Sequence, residues 1–192
     1  MLLEPASLFE RLQRGGQEHD IALDGDRVLK ATRNGIFGLT PGLELSLISG
    51  IGDNRRFHLW EATPMEYLER LWLQNRLVPG LNSLEGILAE EEQDGEIAIV
   101  IAQPRFDFHP VTQPEIDAWF ADKGFRKITA SGYYRAGDNL GVFDAHDRNV
   151  LRFERDLIPF DVIPCRPGGG FLQFIENSLA GGQPVVELRR LG

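Results

Sequence analysis

Apolar and polar positions alternate with period two over several short stretches and follow helical spacing over a few others, so the chain reads as a mixed α and β protein. Ala6 to Arg14 puts Leu8, Phe9 and Leu12 on one helical face before Gly15-Gly16, which predicts a short amphipathic helix. Asp24-Gly25-Asp26 follows as a hairpin turn between two short strands. Leu43 to Ile48 and Phe57 to Trp60 alternate again, and the glycine-rich span Asn34 to Trp60 is expected to form an inserted hairpin or flap. Thr63-Pro64-Met65-Glu66 then opens the clearest helix: Thr63 is the N-cap, Pro64 the first helical residue and Glu66 the closing member of a capping box. Leu68, Leu71, Trp72 and Asn75 are expected on its inward face, and Pro79-Gly80 ends it.

Ser83 to Leu88 and Glu96 to Ile101 predict two further strands around an acidic turn. The second is almost continuously apolar, as a buried central strand should be, and Gln103-Pro104 stops it. Thr112 to Lys123 predicts a capped helix with Ile116, Trp119 and Phe120 inward. Phe125 to Tyr134 and Leu140 to Phe143 are strand-like, and Phe171 to Leu179 is a short helical segment.

Between them lies FDAHDRNVLRFERDLIPFDVIP, Phe143 to Pro164, which reads as a loop entering a β-hairpin. With the turn centred on Arg155, Asn149 and Asp161 fall opposite each other, and Asp144 lies five residues before Asn149. Asp144 can accept a proton, while the Asn149 amide and Asp161 carboxylate can hold Mg²⁺, which is the arrangement that phosphoryl transfer requires. Singly, such residues more often make turns and caps; the intervals between the three favour the chemical reading.

Composition narrows the possibilities. The net charge of −9 argues against nucleic acid as a bulk electrostatic partner. The lone Cys165 excludes an internal disulfide framework and, with no membrane-length apolar run and no basic leader, suggests a cytoplasmic protein. His19, His58, His109 and His146 lack the local spacing of a zinc site, and His146 is expected to brace its loop. Lys30 shares a strand face with Val28, so it either meets an anion such as a nucleotide phosphate or sends its head to water from an edge strand. Gly15-Gly16 either lets backbone N–H groups approach phosphate or simply stops a helix. By position alone, Ala102 and Gln103 are hinge candidates for meeting an adenine edge.

Taken together, EHDIALDGDRVLKATRNGIFG, PMEYLERLWLQN, IVIAQPRF and DAHDRNVL resemble the small serine/threonine/tyrosine kinase-like domain of polyvalent proteins of phages and mobile elements, within the protein-kinase-like superfamily. The resemblance runs from about Gly15 to Pro167 and implies one α+β, two-lobed domain. A β-rich first lobe would cover about 1–102, a hinge about 102–110 and a reduced second lobe about 111–192. It implies an ATP- and Mg²⁺-dependent phosphotransferase with Lys30 at the phosphates, Asp144 as base, and Asn149 and Asp161 on Mg²⁺, acting on an unspecified protein or small-molecule hydroxyl. Glu69 is then either the helix glutamate that orients Lys30 or a solvated charge beside Arg70. The glycine loop is reduced to Gly15-Gly16, and Val162-Ile163 stands where many kinases have Phe-Gly. These features, with the short second lobe, keep a non-catalytic module that binds nucleotide or a partner as the alternative.

Overall fold

The computed structural model describes residues 12–14, 18–33, 35–44, 56–89, 97–107, 109–181 and 189–190. These form a mixed α+β fold with antiparallel sheets, divided into two compact units. The first comprises Met1–Leu39 and Glu61–Asp107, and the second Thr40–Trp60 and Phe108–Gly192. The division crosses the expected first lobe, because residues 40–60 group with the C-terminal half. Among the described residues, no helix is long and apolar enough to cross a membrane.

A five-stranded sheet, ordered β1-β2-β3-β7-β6, builds the first unit from β1 (Gln13–Arg14), β2 (His19–Asp24), β3 (Arg27–Thr32), β6 (Ser83–Ala89) and β7 (Ile97–Pro104). Gln13 and Arg14 pair with Ile21 and Asp20, so the end of the expected N-terminal helix is a strand; residues 6–11 lie outside the described residues. The β2–β3 hairpin turns at Gly25-Asp26, where Gly25 takes φ 63°, a conformation open to glycine without steric cost. The apolar run of β7 is central, with β3 on one side and β6 on the other. Period two separates its faces: Leu29, Ala31, Val100 and Ala102 pack on one, while Ile99 and Ile101 pack with Phe37, Tyr67 and Leu71 on the other.

Tyr67 and Leu71 come from α1 (Pro64–Leu77), which begins with the expected capping box. Thr63 N–H donates to Glu66 Oε2 at 2.8 Å, and Glu66 N–H donates back to Thr63 Oγ1 at 3.3 Å. The inward face is rotated from the expected one, because polar side chains find partners there. Trp72 is 50% exposed under Arg76, whereas Arg70 and Gln74 are buried. Arg70 Nη1 donates to Glu18 Oε2 at 2.8 Å, against Gly38, where a Cβ would stand 3.0 Å from that carboxylate oxygen. Gln74 Oε1 accepts from Asn82 Nδ2 at 3.0 Å, and Asn82 Oδ1 accepts from Gln103 Nε2 at 2.8 Å. This buried amide chain ties α1 to the central strand.

The second unit contains β4 (Leu39–Glu44), β5 (Arg56–Glu61), α2 (Gln113–Asp122), β8 (Arg126–Lys127), β9 (Tyr133–Arg135), β10 (Leu140–Phe143), β11 (Val150–Phe153), β12 (Asp156–Pro159), β13 (Ile163–Cys165), α3 (Gly169–Gly181) and β14 (Arg189–Arg190). Its sheets run β13-β10-β9-β8, β11-β12 and β14-β5-β4. Residues 40–60 belong here because Phe57, 1% exposed, packs its ring 4.7 Å from Phe143 and 4.9 Å from Phe171, centroid to centroid. Phe143 ends β10, so this cluster anchors the residue immediately before Asp144. The stretch 125–134 is strand at its ends alone, with a turn between β8 and β9 closed by Ile128 N–H on Gly132 O at 2.8 Å.

Candidate functional site

The loop between β10 and β11 carries Asp144, and the backbone there is unusual. Asp144 has φ 56°, a left-handed conformation that costs a non-glycine residue about 1–2 kcal/mol and that aspartate visits more readily than most. It is held from both sides. Phe143 is locked in the aromatic cluster, and the Ala145 N–H donates to Ser131 O at 2.9 Å. Asn149 closes the loop: its Nδ2 donates to Asp144 O at 2.8 Å and to Asp144 Oδ2 at 3.0 Å.

His146 lies beside the carboxylate. Its Nδ1 accepts from the Arg148 backbone N–H at 3.2 Å, a bond within the loop. Its Nε2 lies 3.5 Å from Asp144 Oδ1. The histidine therefore braces the loop, as the sequence suggested.

The β11–β12 hairpin forms with a register one residue different from the expected one. Val150 pairs with Pro159 and Phe153 with Asp156, so the turn is the two residues Glu154-Arg155 and not a loop centred on Arg155. Glu154 makes this possible by taking φ 54°. Continued past the ladder, this register sets Asn149 against Phe160 and not against Asp161. Asp161 still arrives beside Asn149, because the Asn149 carbonyl accepts from both Phe160 N–H at 3.1 Å and Asp161 N–H at 3.3 Å. The chain then enters β13, whose Ile163 pairs with Phe143. Asp161 is thus tied to both the loop and the strand that precedes it.

Asp144, Asn149 and Asp161 are therefore neighbours within the second unit, and all three are partly buried. The donor set suits Mg²⁺. With Nδ2 committed to Asp144, the Asn149 amide presents Oδ1 as its remaining polar atom, and Asp161 brings a carboxylate, both hard oxygen donors. Among the described residues no group of three His, Cys, Asp or Glu side chains is placed to hold a metal. A magnesium site shared with substrate phosphates needs no more than one or two carboxylates from the protein.

Lys30, Glu69, Ala102 and Gln103 all belong to the first unit. Lys30 is 9% exposed in β3, opposite Ile101 on the central strand, so it is not an edge-strand lysine. It shares its sheet face with Ile101, hence with the side on which α1 packs. Glu69 is not brought to it. That glutamate is exposed on the outer side of α1 with Met65, Trp72 and Arg76, and the polar residues that α1 buries are Arg70 and Gln74. Ala102 pairs with Leu29 on one side and Ser83 on the other, and Gln103 pairs with Val28, so both are strand residues with backbones engaged in the sheet. Gly15 and Gly16 lie outside the described residues.

One cluster escaped the sequence reading. At the start of α2, Gln113 Nε2 lies 2.9 Å from Tyr133 Oη, 3.2 Å from Asp117 Oδ1 and 3.3 Å from Ala145 O. Tyr133 donates to Asp117 Oδ1 at 2.5 Å, and Lys127 Nζ lies 2.6 Å from Asp117 Oδ2. Burial opposes the Asp117 charge, but the bonds from Lys127, Tyr133 and Gln113 outweigh it and hold its pKa below the usual value. Burial, with Asp117 as its acceptor, pushes Tyr133 well above the usual phenol range. A glutamine four residues before an aspartate on a helix was a visible signal. Its reach to Tyr133 and Ala145 is tertiary and left no local trace.

Searches of curated proteins and of solved structures gave no match. Residues 57–163, more than half of the chain, match the family described as Serine/Threonine/Tyrosine Kinase found in polyvalent proteins. The span includes α1, the central strand, Asp144, Asn149 and Asp161, and the chain belongs to this kinase family.

Proposed function

We propose that the protein is a phosphotransferase dependent on ATP and Mg²⁺, moving the γ-phosphoryl group to a hydroxyl acceptor. One observation carries the reading: the Asn149 side chain bonds the carboxylate of Asp144, a base candidate, and the Asp161 backbone N–H bonds the Asn149 carbonyl, which brings a second acidic residue next to the pair. In this reading the new bond joins the acceptor oxygen to the γ-phosphorus, and the bond from that phosphorus to the β,γ-bridging oxygen breaks to release ADP. Asp144 takes the hydroxyl proton, with Asn149 fixing the direction of its carboxylate. Asn149 and Asp161 are the residues that would hold Mg²⁺. When bound, that ion neutralises charge on the phosphates. A cytoplasmic setting suits the ATP requirement.

Phosphoryl transfer relies mainly on positioning and charge stabilisation. Asp161→Ala should therefore lower Mg-dependent ATP turnover or autophosphorylation by roughly a hundredfold or more, and equal rates in wild type and variant would overturn the proposal.

A second reading is favoured by the chain after Asp161, which passes directly into β13 and leaves no intervening segment to dock a peptide. That geometry suits a small acceptor or a non-catalytic module that binds nucleotide. Mg-ATP should raise the melting temperature under either, and transfer to any acceptor distinguishes them.

A further inference from the structure

We infer that Gln113 is a positioning residue for Asp144, held in that role by Asp117 and Tyr133; the inference rests on the phosphotransferase reading. Asp144 sits in a left-handed backbone conformation, which persists where neighbouring peptides are fixed. Two peptides follow it. The first is fixed by the Ala145 N–H on Ser131 O; the second has its N–H, from His146, on Asp144 O at 3.1 Å and its carbonyl, Ala145 O, facing Gln113 Nε2 at 3.3 Å, the side-chain contact that reaches it from outside the loop.

Gln113 has two amide protons and three acceptors within reach. Tyr133 gives its own proton to Asp117 Oδ1, so its oxygen can accept one proton from Gln113 at 2.9 Å. The other proton is divided between Asp117 Oδ1 and Ala145 O. Lys127 on Asp117 Oδ2 draws charge toward that oxygen and away from the one that competes with Ala145. The result is a polar chain from an exposed ion pair to the residue beside the base, through side chains that make no bond to Asp144 itself. Their contribution is to its orientation.

The test compares wild type with Gln113→Leu in the full chain. Without nucleotide, amide hydrogen exchange is followed at Ala145 and His146; with Mg-ATP, kcat and KM are measured separately. Exchange at Ala145 should accelerate about tenfold, kcat should fall roughly ten- to a hundredfold, and KM for Mg-ATP should stay within about twofold. Unchanged exchange, or faster exchange with unchanged kcat, would overturn the inference. If Gln113→Leu does not fold, Gln113→Ala, which also removes the amide donor, is put through the same measurements with the same expectations. A wild type without transfer activity overturns the phosphotransferase reading, while the exchange measurement still decides whether Gln113 holds the loop.

Discussion

Phe143 lies against two glycines because its ring leaves no room for a side chain at either. A Cβ on Gly132 would stand 2.4 Å from Thr129 Oγ1 and 2.9 Å from the Phe143 ring, and one on Gly141 would stand 2.8 Å from the same ring. Gly132→Ala should therefore destabilise the protein by about 2–3 kcal/mol, read as a lower urea midpoint with an unchanged slope. The Asp117 carboxyl makes a prediction about pH. It is more acidic in the folded chain than in the unfolded one, so its cluster contributes stability that is present above the ordinary aspartate range and lost as pH falls below about 4. Urea unfolding from about pH 6 to about pH 3 should show the difference between wild type and Asp117→Asn shrinking with acid. A constant difference would mean that Asp117 does not titrate with unfolding. Thr129 Oγ1 is buried with no hydrogen-bond partner among the described residues, a cost accepted in the turn that carries Gly132.

At the scale of elements, what could be read in advance was whatever the chain encodes locally. The α1 cap was legible because Thr63, Pro64 and Glu66 each act within one turn. The central strand was legible because burial on both faces requires an unbroken apolar run. The hairpin register was not, since it depends on Glu154 adopting a left-handed conformation that glutamate does not advertise. Glu154→Gly should relieve that strain and stabilise by about 0.5–1 kcal/mol, net of the entropy glycine adds to the unfolded chain; a loss of stability in thermal unfolding would contradict it. The inward face of α1 was misjudged for a related reason. Arg70 and Gln74 look like surface residues until Glu18, Asn82 and Gln103 are folded against them. For the candidate site, the spacing foresaw that Asp144 and Asn149 lie close, whereas Asp161 reaches Asn149 through its backbone N–H and not by the expected register. The Gln113 cluster and the outward turn of Glu69 follow from packing that no short window contains.

For the molecule as a whole, the second unit is assembled from two separated parts of the chain, and Phe57 joins them. Phe57→Ala should cost about 3–4 kcal/mol. Its effect should be read as faster hydrogen exchange in β9, β10 and β13, with the β3–β7 ladder keeping its protection. Uniform acceleration through both units would show that they unfold as one. The same discontinuity orders events during synthesis. All residues of the first unit have been made once Asp107 is added, whereas Phe57 must wait for Phe143 and Phe171, on the order of ten seconds at ribosomal speeds of about 5–20 residues per second. Over that interval the Phe57 side chain lacks the two rings that bury it in the folded chain. The nascent chain is thus most open to chaperone capture or misassociation until Phe171 has been made, an interval that outlasts synthesis of the loop bearing Asp144.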